Sequence, residues 1–286
     1  MSTPFIARTI DDLRQAITAA RRGGRRIGVV PTMGALHEGH LSLVAAAEKE
    51  CDFVVVTIFV NPTQFGPNED FSRYPRTWES DLQLLGAHQV DVIFAPETKA
   101  MYPDGVATSV KVEGVALPWE GACRPGHFDG VATIVLKLFN LVQPEVAYFG
   151  RKDLQQSLVI RQMVRDLDVP VEVSVCPTVR EPDGLALSSR NRYLSREERL
   201  AALALSRALR RGAELVQQGT RDASRVLAVM HDEIASSPLV RLEYLAIVDP
   251  RTMTDVAELD TLAYAIVAAR VGNTRLIDNE PLETPR

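Results

Sequence analysis

The chain has 286 residues, 46% of them apolar and 24% charged, which gives enough core for one large α/β unit or two unequal lobes and excludes disorder as a description of the whole. A formal net charge of −5 runs against a surface built for nucleic-acid phosphates. The three cysteines, Cys51, Cys123 and Cys176, lie far apart without a C-x-x-C pair, so they encode neither a disulfide framework nor a zinc ribbon and suit a reducing cytosol.

The N-terminal stretch Met1 to Asp12 puts two acids, Asp11 and Asp12, where a signal peptide would carry its apolar core, and no apolar run approaches membrane-spanning length. A cytoplasmic protein with no membrane or nucleic-acid partner is the expectation. A helical pattern then leads to Arg21, Arg22, Arg25 and Arg26 around Gly23-Gly24, which read as a solvated helix end and not a binding patch. Strand candidates follow at Ile27–Val30, Phe53–Val60, Asp91–Ala95, Val146–Phe149 and Val171–Val175, each apolar at nearly every position, as buried parallel strands are. Between them Val131, Ile134, Val135, Leu138, Phe139 and Val142 recur at helical spacing, and Leu158, Met163 and Leu167 mark a further sheet-covering helix.

The pattern changes near Cys176-Pro177. The domain boundary is placed at 178, giving domains 1–178 and 179–286. After a turn at Pro182-Asp183-Gly184, Ser195 and Glu198 form a capping box for a helix running to Gln218. A second helix over Asp222–Ser236, a strand over Arg241–Val248 and an apolar run over Leu262–Ala268 complete the chain. The fold class expected is α/β: a Rossmann-like parallel sheet with helices on both faces, plus a smaller α/β C-terminal domain.

Chemistry concentrates where strands end. Pro31-Thr32-Met33-Gly34-Ala35-Leu36-His37-Glu38-Gly39-His40 lies between a strand and a helix carrying Leu41 and Val44. Its glycines allow close approach of backbone, a helix start offers free N–H groups to an anion, and two imidazoles at i and i+3 share that side. It is not a P-loop, because His40-Leu41 stand where Lys-Ser/Thr are required, and it is not a zincin, because H-E-x-H is not H-E-x-x-H. No Gly-x-Gly pair supports a dinucleotide fingerprint. A second loop, Gly150-Arg151-Lys152-Asp153, also follows a strand, where Lys152 could meet phosphate and Asp153 a ribose or adenine edge. Gln64 and Gln156 offer neutral amides to a hydroxyl- and carboxylate-bearing substrate, and Leu187-Ser188-Ser189-Arg190 offers hydroxyls and a guanidinium to a triphosphate from the second lobe. His88, His127 and His231 lack such neighbours in sequence and read as structural or surface residues.

These segments, with Phe59 to Gly66, Arg124 to Thr133, Lys152 to Gln156 and Asp183 to Asn191, resemble the pantothenate synthetase family of the nucleotidylyltransferase superfamily. The resemblance spans residues 31 to about 194. It implies a Rossmann-like N-terminal domain, a smaller C-terminal domain that moves over the site, and a homodimer acting on ATP with magnesium, (R)-pantoate and β-alanine. Carried over position by position, Met33, Gly34, Ala35, Leu36, His37, Glu38, Gly39, His40, Gly150, Arg151, Lys152, Asp153, Val179, Leu187, Ser188, Ser189 and Arg190 would bind ATP. Gln64 and Gln156 would bind pantoate, and Gln64 would also meet β-alanine. Arg151 departs from the usual Glu or Gln, Leu154 from an aromatic and Cys123 from the common Ser.

The activity implied is ATP-dependent condensation of pantoate with β-alanine through a pantoyl-adenylate, with His37, His40, Lys152 and Arg190 facing the triphosphate and His40 as donor to the leaving group. Two rivals stand beside it: another adenylyl- or cytidylyltransferase of the superfamily, and a non-catalytic nucleotide sensor.

Overall fold

The computed structural model describes residues 3–67 and 69–284; Met1 and Ser2, the start of the stretch read above for a targeting signal, lie outside them. The chain divides into two compact units, Met1–Gly150 with Gln156–Pro177, and Arg151–Gln155 with Thr178–Arg286. Among the described residues no helix is long and apolar enough to cross a membrane.

In the first unit the elements run β1 (Phe5–Ala7), α1 (Ile10–Arg22), β2 (Ile27–Thr32), α2 (Glu38–Glu50), β3 (Phe53–Ile58), α3 (Trp78–Leu85), β4 (Val92–Phe94), α4 (Thr98–Met101), α5 (Glu120–Cys123), α6 (His127–Val142), β5 (Val146–Gly150), α7 (Leu154–Asp166) and β6 (Glu172–Cys176). The first two residues of α7 are counted with the second unit. The sheet is parallel, in the order β1-β4-β3-β2-β5-β6. From β2 the chain winds one way through β3 and β4, and from β5 the other way to β6. The switch point therefore falls between β2 and β5, where open α/β sheets hold ligands beyond the strand carboxyl ends.

Burial explains the winding. Val29, Val30, Val55, Val56, Ile93 and Phe94 are fully buried, as strands covered on both faces must be. Helix α2 packs on β2, β3 and β5, while α1 packs with α6, which reaches β2. The arginine cluster closes α1: Arg21 pairs with Glu145, Arg25 with Asp91 and Arg26 with Glu50, at 3.5, 3.4 and 3.2 Å. Two expectations need correction. Strand β6, expected as a buried strand, carries Glu172 and Ser174 and sits at the sheet edge, with Glu172 exposed and the rest half-buried. Helix α7 ends at Asp166, leaving Leu167 52% exposed instead of on the sheet.

The second unit holds α8 (Arg196–Gln217), α9 (Ala223–Ala235) and an antiparallel sheet of β7 (Val240–Val248), β8 (Ala263–Val271) and β9 (Thr274–Leu282) in that order. The Ser195–Glu198 capping box opens α8 with reciprocal bonds of 3.2 and 2.8 Å. Leu205 and Leu209 on α8 and Val226 and Met230 on α9 join Val267 and Val271 of β8 in one buried cluster. Strand β9 is the element the apolar pattern did not announce, because it carries Asp278 and Asn279 at buried positions.

Candidate active site

The loop after β2 is held by a carboxylate from α3. Gly34 and Ala35 both adopt left-handed backbone, with φ of 80° and 50°. Left-handed backbone at a residue with a side chain carries strain. Asp81, 1% exposed, accepts the backbone N–H of Ala35 at 3.0 Å and of Leu36 at 2.9 Å, and the Thr77 hydroxyl at 3.0 Å. The amides that the turn leaves without helix or sheet partners are thereby satisfied.

The two histidines cap α2. His37 is the N-cap, and its Nδ1 accepts the N–H of Gly39 at 3.2 Å; His40, at the third helical position, accepts the N–H of His37 through its own Nδ1 at 3.3 Å. This is a capping box with imidazoles in place of the usual hydroxyl and carboxylate. The rings lie 4.1 Å apart, both half-buried. A nitrogen that accepts a hydrogen bond carries no proton, so the neutral ring bears its proton on Nε2. Each histidine is therefore set as an Nε2–H donor, suited to phosphate oxygens. The expectation of free backbone amides at this helix start is corrected at two positions: the Gly39 amide is taken by the His37 ring and the His40 amide by the His37 carbonyl.

Gln64, 9% exposed, ends a 3-10 turn at Pro62–Gln64. Its Oε1 accepts from Asn61 at 3.1 Å and its Nε2 donates to Met33 Sδ at 3.1 Å, leaving one N–H and one lone pair for a ligand. Asn61 in turn donates to Gly130 O at 3.1 Å and accepts from the Tyr102 hydroxyl at 2.8 Å. The main chain is gripped as well. His127 Nδ1 donates to Gln64 O at 2.8 Å, and Arg124 donates to the same oxygen at 3.3 Å and to His127 Nε2 at 3.0 Å. Burial first, then the Arg124 charge, holds His127 down to about 4, so the ring is neutral. Burial, the largest influence on Glu69, would raise it, but the hydrogen bonds and charge of Arg124 together with the Gly66 backbone bond outweigh that and keep the carboxyl below its usual value.

In the second unit, Arg151–Asp153 forms a 3-10 turn, with Lys152 Nζ 3.8 Å from Asp153 Oδ1. Residues 179–187 form a narrow hairpin: Leu187 N donates to Val179 O at 3.0 Å, and Arg180 bridges Ala186. Ser188 caps the next turn by accepting the Arg190 N–H at 3.3 Å, while Asn191 donates to Glu181 and to Ala186 O.

Within the first unit, then, the structure brings together His37 with His40, and Met33 with Gln64. Gln156 is half-buried in the first turns of α7. A cavity of about 420 Å³ lined by Met33, Gly34, Phe59, Arg76, Trp78 and Asp81 shares only Met33 and Gly34 with the expected nucleotide residues. Neither imidazole lines it. His127 is structural, one of the two readings given to it, and buried; its hold on Gln64, like the parts played by Asn61, Arg124 and Asp81, was not legible because each acts on a group distant in sequence or reads as an ordinary surface polar residue.

The strand order and the glycine- and histidine-bearing loop at its switch point define an α/β nucleotide-binding protein of the Rossmann type. The family model described as pantoate-beta-alanine ligase matches residues 5–281. The chain belongs to that family. It is 54% identical to the pantothenate synthetase of Moorella thermoacetica over 97% of this chain and 98% of that one, and 56% identical to that of Acidobacterium capsulatum over 98% and 97%. Its structure matches crystalline pantothenate synthetase from Thermus thermophilus with a TM-score of 0.94, at 51% identity and covering 98% of this chain and 100% of that chain. It also matches the Francisella tularensis pantoate-beta-alanine ligase complexed with beta-gamma ATP and beta-alanine, with a TM-score of 0.82 and 37% identity over 99% of each chain.

Proposed function

We propose that the chain condenses (R)-pantoate with β-alanine at the expense of ATP, giving pantothenate, AMP and pyrophosphate in two steps. In the first, a pantoate carboxylate oxygen bonds to the α-phosphorus as the bond to pyrophosphate breaks. In the second, the β-alanine nitrogen bonds to the acyl carbon, the C–O bond to AMP breaks and the amine sheds its protons. ATP enters as its magnesium complex, the metal riding on phosphate oxygens as Mg²⁺ generally does.

The observation that carries the reading is the imidazole capping box. His37 and His40 each commit Nδ1 to the helix end, which makes their Nε2–H groups donors to phosphate and unsuits them as metal ligands while the cap stands. The rest of the loop, Met33, Gly34, Ala35, Leu36, Glu38 and Gly39, would shape the ATP site, with Gly150, Arg151, Asp153, Val179, Leu187, Ser188 and Ser189 as further ATP contacts. Lys152 and Arg190 would neutralise charge on the triphosphate, the guanidinium by paired bonds. Gln64 and Gln156 would bind pantoate, Gln64 with the N–H and lone pair it has left, and Gln64 would meet β-alanine. Residues 1–178 are the nucleotide- and pantoate-binding domain in this reading and 179–286 a lid, the enzyme being a cytoplasmic homodimer.

The test is release of AMP and pyrophosphate from ATP and magnesium with pantoate and β-alanine, separately and together. AMP formation that needs both acids is expected. In His40→Ala, pantoate-dependent ATP–pyrophosphate exchange should fall by about 10²-fold, the usual loss for one stabilising donor. Exchange that ignores pantoate, or near-normal turnover in the variant, would overturn the assignment.

A further inference from the structure

Strand β9 carries two adjacent buried polar residues that the proposed mechanism leaves unused. Asn279, 3% exposed, donates through one amide nitrogen to two consecutive main-chain carbonyls, Arg151 O at 2.8 Å and Lys152 O at 2.9 Å. These are its side chain's hydrogen bonds; Oδ1 has no partner among the described residues. Asp278, 6% exposed, takes a bidentate bond from Arg180 at 2.6 and 3.2 Å and accepts the Asn279 N–H at 2.8 Å. Arg180 also donates to Asn279 O and Gly184 O, both at 3.3 Å, and belongs to the hairpin that leads into Leu187–Arg190. One dipeptide thus ties down the turn bearing Lys152 and the hairpin preceding Ser188.

A role confined to folding does not account for the arrangement. An apolar β9 would pack better here, since burying an amide with one atom unpaired and a carboxylate held by one guanidinium, with only the Lys152 charge besides, is costly relative to hydrophobic residues. The grip is on main-chain oxygens, so it fixes the path of the turn whatever side chain stands at 151.

We propose that Asn279, braced by Asp278 and Arg180, is a positioning residue for the nucleotide: it holds the Arg151–Lys152 turn so that the Lys152 ammonium is presented to the ATP phosphates in one geometry. The inference rests on the reading of Lys152 as an ATP ligand. Freed from Asn279, the two carbonyls would find other partners, the turn would sample several paths, and Lys152 would meet the triphosphate only part of the time. Loss of fixed placement weakens a charge contact without abolishing it.

The experiment is pantoate-dependent ATP–pyrophosphate exchange on the full chain, with KM measured separately for ATP and pantoate in Asn279→Ala, Asn279→Asp, Lys152→Ala and the double variant Lys152→Ala/Asn279→Ala. Asn279→Asp keeps the shape but replaces the donor by an acceptor. Both Asn279 variants are expected to raise the KM for ATP by about tenfold while leaving that for pantoate within about twofold. The double variant should be no worse for ATP than Lys152→Ala alone, because residues acting through one another are not additive. If Asn279→Ala does not fold, Asn279→Ser, which retains a shorter donor, carries the same expectation with a smaller shift. A raised ATP KM in Lys152→Ala with no change in the Asn279 variants, or additive losses in the double variant, would overturn the inference and leave the nucleotide reading intact. An unchanged ATP KM in Lys152→Ala would remove the reading itself, and the inference with it.

Discussion

His127 shows how a single side chain links stability to the site. Its ring donates to the Gln64 carbonyl and accepts from Arg124, so both nitrogens are committed only while the ring is neutral. The folded value of about 4 lies below the ordinary 6.5. Below pH 6.5 the unfolded chain takes up a proton that the native ring refuses until about 4, so this contribution to stability is whole above 6.5 and is lost as pH falls through that window. Its size is about 3 kcal/mol at most, by the linkage between pKa shift and stability. Urea midpoints measured between pH 7 and 4.5 should fall for the natural chain and fall less for His127→Asn, whose amide can still donate to Gln64. Glu69, held low by Arg124, adds its acid sensitivity only below its ordinary 4.5, outside that window. Equal slopes for the two proteins would show that His127 titrates normally. Nothing local announced this residue: the carbonyl it holds is 63 positions away. The imidazole pair His37 and His40 was legible for the opposite reason, its members standing three residues apart.

At the scale of elements, the close approach of α6 to the turn at Pro62–Gln64 sets where Gln64 stands. A Cβ added at Gly130 would lie 2.4 Å from Thr63 O and 2.7 Å from Gln64 N, both backbone atoms that cannot rotate aside. Gly130→Ala must therefore push the turn away from α6. A loss of about 1–3 kcal/mol in stability is expected from the overpacking, with a rise of about tenfold in the KM for pantoate as Gln64 shifts. Thermal unfolding and pantoate titration check the two halves, and an unmoved pantoate KM would mean that Gln64 does not bind it. Strands β2, β3 and β4 were readable because each is apolar at nearly every position. Strand β6 differs in pattern: Glu172 and Ser174 alternate with Val173 and Val175, the spacing of a half-exposed strand, and it lies at the edge. Strand β1 is three residues long, and α3 hides its one buried acid, Asp81, among acids that read as solvated.

Over the whole molecule, the sequence reading drew one boundary near 178, whereas five residues from the middle of the chain, 151–155, group with the C-terminal unit. Their attachment is polar and distant, Asn279 reaching Arg151 across 128 positions, and apolar periodicity carries no trace of such a contact. Arg180 is the cation on which that assembly depends, since it meets Asp278 and, at 2.9 Å, Glu280. Burial already pushes the Asp278 carboxyl up against the pull of the guanidinium. In Arg180→Met the carboxylate would be buried without its hydrogen-bonded cation, keeping only the more distant pull of Lys152, and a loss of about 3–5 kcal/mol is expected at neutral pH. Removing the stranded charge should repair the damage, so Arg180→Met/Asp278→Asn should regain most of that stability in urea unfolding. The sign of the pH dependence separates this from lost packing. Without Arg180, Asp278 binds its proton more tightly in the folded chain than in the unfolded one, so the deficit of Arg180→Met should shrink as pH falls toward 5, whereas a deficit from lost packing alone would not change with pH.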